Sequence, residues 1–119
     1  IAVRMFEEGR WDVIPGAEAD ADFRERVRSS LERIAAAHQD ELVVVVVHGG
    51  VIGQVMNIAT GSSGFAFTGS DNASISHLVL ADGRWIVRCF NDTSHLRSTF
   101  STAGEAPPLT GIRPSGGTF

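Results

Sequence analysis

The chain has 119 residues, with ten Arg and no Lys against 14 acidic residues, four His, one Cys and no Tyr; its formal charge is -4. At 43% hydrophobic residues it suits one small globular domain able to bury a core. The longest strongly apolar run, Leu42 to Val47, falls far short of the ~20 residues of a membrane span, and an acidic chain without Lys is poorly equipped to neutralise nucleic-acid phosphates. Cys89 stands alone, which excludes an intrachain disulfide and a Cys-based zinc site and suits a cytoplasmic location. The chain starts at Ile1 without the basic-then-apolar opening of a secretory signal, and reads as a piece whose beginning is elsewhere.

Ile1 to Ala19 mixes aromatic and acidic residues around Pro15-Gly16 and reads as the tail of a lost element followed by a loop. From about Asp22 to His38 the residues Phe23, Val27, Leu31, Ile34 and Ala35 fall on one stripe at helical spacing, while Arg24, Arg28 and Glu32 lie off it, toward solvent. Asp20 or Asp22 is placed to cap this helix, and Glu25 completes a capping box with Asp22.

Leu42 to Val47 contains five consecutive Val residues. β-branched side chains favour strands, and an unbroken apolar run predicts a strand buried on both faces, as in a parallel sheet between helices. Gly49-Gly50 follows, then a second helix from about Val51 to Ala59, apolar around most of its circumference and stopped by Gly61. A strand between two helices argues for an α/β fold.

Thr60 to Asn72 is a Gly/Ser-rich loop holding Phe65 and Phe67, which either line a pocket or plug the loop onto the core. Ala73 to Leu80 and Trp85 to Phe90 are strand candidates joined through Asp82-Gly83, a strong hairpin signal. Alternation puts Trp85, Val87 and Cys89 on one face and Ile86, Arg88 and Phe90 on the other. Residues 1–97 form the folded part; Ser98 to Phe119, biased toward Ser, Thr, Gly and Pro, is a tail expected to dock on the domain or on a neighbouring subunit.

His48 is the most informative position. It ends the predicted buried strand and precedes two glycines and a helix, and open α/β sheets bind ligands beyond the carboxyl ends of their strands. The glycines let the backbone approach a ligand, and the free N–H groups of the helix start favour an anion. His48 is then either a donor beside a phosphate- or carboxylate-binding terminus or a histidine that caps the strand. His95 follows a strand near Asp92, His38 ends the first helix, and His77 lies mid-strand as a core or edge residue; no two histidines have tight metal-ligand spacing, so no metal is expected.

The words around His48 carry a family resemblance. Val-Val-Val-His48-Gly-Gly-Val-Ile, preceded by Phe23-Arg-Glu-Arg-Val and followed by Asn72-Ala-Ser-Ile, the Trp85 strand and Asn91-Asp-Thr-Ser-His95-Leu96, resembles the C-terminal half of the histidine phosphatase superfamily, which includes the phosphoglycerate mutases. Pro15-Gly16-Ala17-Glu18 is similar to that family's Gly-Glu-Ser signature, with Ala17 and Ala19 departing from it. The likeness runs in order over roughly residues 15 to 97.

The resemblance implies a three-layer α/β/α domain with a mostly parallel sheet and a C-terminal hairpin, represented here by its C-terminal half without the N-terminal Arg-His-Gly strand and helix. It implies hydrolysis of phosphate monoesters through a phosphohistidine, without a cofactor or metal. His48 matches the second active-site histidine, donating to the phosphoryl oxygens alongside the Gly49 N–H. Glu18 matches the signature glutamate near the pocket, and Asn72 either touches substrate or caps its loop. His95 matches a word that more often closes the fold than catalyses.

No Arg-His pair occurs in these residues, so the nucleophile has no counterpart, and the general acid is unassigned although Glu7 and Glu8 precede Gly9-Arg10-Trp11. The family's mutases tend to carry Asn where Gly50 stands, which favours a phosphatase; mutase-type phosphoryl transfer and a non-catalytic binding or oligomerisation module are the alternatives. The expected partners are a phosphorylated small molecule and either the missing N-terminal half or a second copy in a homo-oligomer, because a lone half-domain leaves strand edges open.

Overall fold

A computed structural model describes residues 2–96. The Ser98 to Phe119 tail, its docking and the boundary at residue 97 lie outside the described residues. The elements are α1 (Ala2–Glu8), α2 (Asp20–Ala37), α3 (Gly49–Thr60), β1 (Ile75–Ala81) and β2 (Arg84–Asp92). This is a small mixed α/β arrangement in which α3 packs on α2 and on β2.

The opening stretch, expected as the tail of a lost element and a loop, contains the short helix α1. It stops where Gly9 turns to φ +61° and the Arg10 N–H donates to the Met5 carbonyl at 3.2 Å, an arrangement that satisfies the end of a helix with a left-handed residue. Phe6 and Trp11, flanking that turn, both pack on Phe65, with ring centroids 5.8 and 4.8 Å apart. Gly9 and Gly64 meet backbone to backbone, a Cβ on Gly9 falling 3.1 Å from the Gly64 Cα.

The stripe predicted for α2 holds, with Val27 buried at its centre, but Arg24 and Arg28, expected toward solvent, are half-buried, and the Arg28 guanidinium lies 5.8 Å from the centre of the Trp85 ring. Its start does not follow the expected cap. The N-cap residue is Ala19, and the Asp20 N–H donates to Asp12 Oδ2 at 2.9 Å, so a carboxylate eight residues upstream does what Asp20 or Asp22 was expected to do. Placing that acid at the positive end of the helix is also favourable. The His38 N–H closes the other end on the Ile34 and Ala35 carbonyls.

α3 begins two residues earlier than expected and ends at Gly61, φ +72°. It is the most enclosed element: Gly53, Gln54, Met56 and Asn57 are buried, and Met56 retains 1% of its surface. Gly53 lets the loop approach closely, since a Cβ there would lie 3.1 Å from the Phe67 carbonyl oxygen, tighter than an ordinary contact. Asn57 Nδ2 ties the following loop down by donating to the Gly64 carbonyl at 2.9 Å.

β1 and β2 pair antiparallel, with Ala81 opposite Arg84 and Leu80 opposite Trp85. Asp82 (φ +51°) and Gly83 (φ +74°) both take positive φ, as a two-residue turn matched to strand twist demands. The simple alternation along β2 fails at its far end. Register irregularities around His77 put extra residues into β2, and Phe90, expected on the face of exposed Ile86 and Arg88, is half-buried against Phe67 at 5.2 Å.

Leu42 to Val47 departs most from expectation. Among the described residues it pairs with no strand, and the sheet that is present is two-stranded and antiparallel rather than mostly parallel. Val44 and Val46 are 83% and 91% exposed while Val45 and Val47 are 44% and 40% exposed. A period of two in exposure is that of an extended chain with one face toward the molecule. Burial of both faces requires neighbours that these residues do not supply. No described helix is long and apolar enough to cross a membrane.

Candidate active site

His48 is the N-cap residue of α3, with extended backbone (φ -75°, ψ 159°), an exposed side chain and no side-chain cap bond. Its carbonyl accepts the N–H groups of Val51 (3.0 Å) and Ile52 (3.2 Å), which starts the helix. The N–H groups of Gly49 and Gly50 have no acceptor among the described residues and lie where a helix of twelve residues concentrates its partial positive charge. The two glycines differ in surroundings. A Cβ on Gly49 would lie 3.4 Å from Ser70 Oγ, whereas one on Gly50 would meet nothing within 4 Å. Gly49 is held against the loop, and Gly50 opens onto a cavity.

That cavity has a volume of about 280 Å³, and His48, Glu18, Arg26, Trp11, Phe23 and Val51 are among the residues that line it. His48 and Glu18 are thus brought together, 30 positions apart in sequence. Glu18 is gripped by Arg26 through Nε to Oε2 (3.1 Å) and Nη2 to Oε1 (2.9 Å). The Arg26 guanidinium also lies 5.4 Å from the centre of the Phe23 ring, a cation–π distance. The hydrogen bond from Arg26 holds the Glu18 carboxyl below its ordinary range. Glu18 is therefore an anchored carboxylate, unsuited to give up a proton near neutral pH.

Asn72 does not line this cavity. It sits in a loop fixed from both sides: the Asp71 N–H donates to Asn91 Oδ1 (2.8 Å), Asn91 Nδ2 donates to Asp71 Oδ2 (3.2 Å), and His95 Nε2 donates to the Ala73 carbonyl (2.8 Å). The carbonyl can only accept, which sets the His95 tautomer. His95 thereby closes the loop, and His38, within 3.6 Å of Glu41, is occupied at the end of α2. Phe65 and Phe67 pack on Phe6, Trp11 and Phe90 and do not line the His48 cavity, so the loop is plugged by them.

Glu7 and Glu8 are exposed and also outside the cavity. Glu8 is held by Arg4 at 2.7 Å and Arg10 at 3.0 Å, and the Arg4 hydrogen bond lowers its pKa. The lowered pKa of Glu8 is the opposite of what a leaving-group acid needs. Among the described residues no three His, Cys, Asp or Glu side chains converge to hold a metal.

Arg26, Trp11, Phe23, Val51 and Ser70 were not singled out as site residues by sequence reasoning. Arg26 sits off the apolar stripe of α2 and resembles any solvated helix charge; its spacing of eight from Glu18 is the one available hint.

The chain's residues 2–93 match the model of the histidine phosphatase superfamily (branch 1). It is 37% identical to the metal-independent phosphoserine phosphatase of Arabidopsis thaliana over 84 residues, 70% of this chain and 34% of that one. It is 36% identical to phosphoglycerate mutase-like protein 4 of the same plant over 101 residues, 82% of this chain and 44% of the relative. With the uncharacterized phosphatase PhoE of Bacillus subtilis (strain 168) it shares 26% identity over 86 residues, 71% of this chain and 45% of the relative. The matches thus span a third to somewhat under half of these curated relatives. No solved structure matches significantly.

Proposed function

Because the chain belongs to the histidine phosphatase superfamily, we propose that it supplies part of the active site of a phosphate monoester hydrolase that works through a phosphohistidine. The observation that carries this reading is His48 at the N-cap of α3, on the wall of a cavity and beside the Gly49 and Gly50 N–H groups, which have no acceptor among the described residues. His48 is the second active-site histidine, and it donates to the phosphoryl oxygens as charge builds on them. The Gly49 N–H donates beside it, and Gly50 leaves room for the ester. Such fixed donors stabilise a charged transition state without reorganising.

These residues correspond to the C-terminal half of the family's domain. The nucleophilic histidine, absent here as an Arg-His pair, comes from a part of the parent protein outside this sequence. Its ring nitrogen takes the phosphoryl group as the bond to the ester oxygen breaks. An acid from the parent protonates that oxygen, and water then attacks the phosphohistidine to release phosphate and restore the histidine. Leu42 to Val47 becomes a central parallel strand of a three-layer α/β/α domain when strands of the parent flank it. Its exposed valines support this reading and equally support a second one, in which two copies of the chain pair along that edge as a homo-oligomer.

Phosphatase is favoured over mutase-type transfer by Gly50, where the family's mutases tend to carry Asn. The substrate is a phosphorylated small molecule; one relative is named for phosphoserine. The test uses the parent protein and a phosphate monoester labelled in its phosphoryl group. Acid-labile labelled phosphohistidine is expected, with turnover falling ~10²-fold or more in His48→Ala. Full turnover without a labelled histidine, or in His48→Ala, contradicts the reading.

A further inference from the structure

The His48 cavity has one charged pair in its wall, Arg26 with Glu18, whose charges cancel. Arg26 spends two donors in a parallel fork on both Glu18 oxygens, and its face is turned to Phe23. The remaining large side chains of the wall, Trp11, Phe23 and Val51, are apolar. Past the helix terminus that takes the phosphoryl group, the part of the wall that this chain supplies is therefore a largely apolar shelf with no net charge.

We propose that this shelf selects the alcohol part of the ester and favours an uncharged aromatic or bulky apolar group over one bearing a carboxylate or an amino acid zwitterion. The proposal rests on the phosphatase reading above, and deepens it by naming the substrate class. A second carboxylate entering here would lose water against Trp11, Phe23 and Val51 and would be repelled by the Glu18 carboxylate in the same wall. An aromatic ring loses nothing of that kind and gains by stacking and area burial. The room is sufficient: an apolar cavity of roughly 150 Å³ holds a benzene ring, and this one is about 280 Å³. Glu18 and Arg26 act as positioning residues, since their fork fixes the loop before α2 to α2 and the Arg26 guanidinium lies 5.4 Å from the centre of the Phe23 ring.

The test compares benzyl phosphate, phosphoserine and 3-phosphoglycerate, all esters of aliphatic alcohols, as substrates of the parent protein. Binding of benzylphosphonate and of the phosphonate analogue of phosphoserine is measured alongside by tryptophan fluorescence. The expected result is a kcat/KM for benzyl phosphate at least tenfold above the other two, with benzylphosphonate binding tighter by a similar factor. Phe23→Leu, which keeps the core apolar, lowers kcat/KM for benzyl phosphate more than for ethyl phosphate. Turnover of all three esters with equal or reversed preference overturns the shelf and leaves the phosphatase reading intact. No turnover with selective binding of benzylphosphonate overturns the phosphatase reading and upholds the shelf. Neither turnover nor selective binding overturns both.

Discussion

Arg26 holds Glu18 by two parallel hydrogen bonds of 3.1 and 2.9 Å across eight residues of sequence, joining the first turns of α2 to the loop that precedes it. The side chains are 60% and 40% exposed, so the pair orients more than it stabilises. The pairing lowers the Glu18 pKa from its ordinary 4.5. Its contribution to stability is therefore present in full above that ordinary value and is lost as pH falls through the depressed folded value. The difference in melting temperature between the wild type and Glu18→Gln should stay constant from pH 8 to 5 and shrink at more acid pH. Added salt should shrink it at every pH.

The guanidinium fork itself is open to a geometric test. Lys at position 26 keeps the charge and loses the two parallel donors. Arg26→Lys in the parent protein should raise KM for a bulky ester with a smaller change in kcat. A purely structural role would leave the two constants in their wild-type ratio for every substrate.

Met56 is the most enclosed side chain of the described core, at 1% exposure on the inner face of α3. Met56→Ala should cost about 2–5 kcal/mol, read as a lower denaturant midpoint with an unchanged slope. A loss below 1 kcal/mol would mean that α3 is not packed as described.

At the hairpin turn, Gly83 has φ +74°. Gly83→Ala should destabilise by about 1–2 kcal/mol, because an L side chain resists the left-handed region. Chemical denaturation checks this, and a stabilised variant would exclude the positive-φ turn.

The parts of the fold that were legible in the sequence are those governed by neighbours along the chain. The α2 stripe from Phe23 to Ala35, the glycine stop at Gly61 and the Asp82-Gly83 turn all follow from local spacing and local φ preferences. What escaped depends on contacts across sequence. The cap of α2 comes from Asp12, not from Asp20 or Asp22. Phe90 turns inward because of register shifts opposite His77, which no alternation rule contains. Leu42 to Val47 alternates in exposure as an extended chain does, but the burial of both faces expected of it depends on neighbours across sequence that the described residues do not supply.

The candidate site divides the same way. His48, Gly49 and Gly50 stand together in one word, and the chemistry of a histidine at a glycine-opened helix start can be read there directly. Glu18 was reached through a resemblance, and its partner Arg26 was hidden among solvated charges. Asn72, placed by the same resemblance, lies on a loop clamped by Asn91 and His95 and outside the cavity.

The central claim is that the start of α3 receives a phosphoryl group through His48. The most direct measurement is to follow the amide resonances of Gly49 and Gly50 and the ring nitrogens of His48 by NMR in the parent protein while orthophosphate is added. The account predicts saturable shifts at all three residues, with the amide shifts weakened in His48→Ala. Saturable phosphate binding elsewhere in the protein that leaves these resonances unmoved would contradict it.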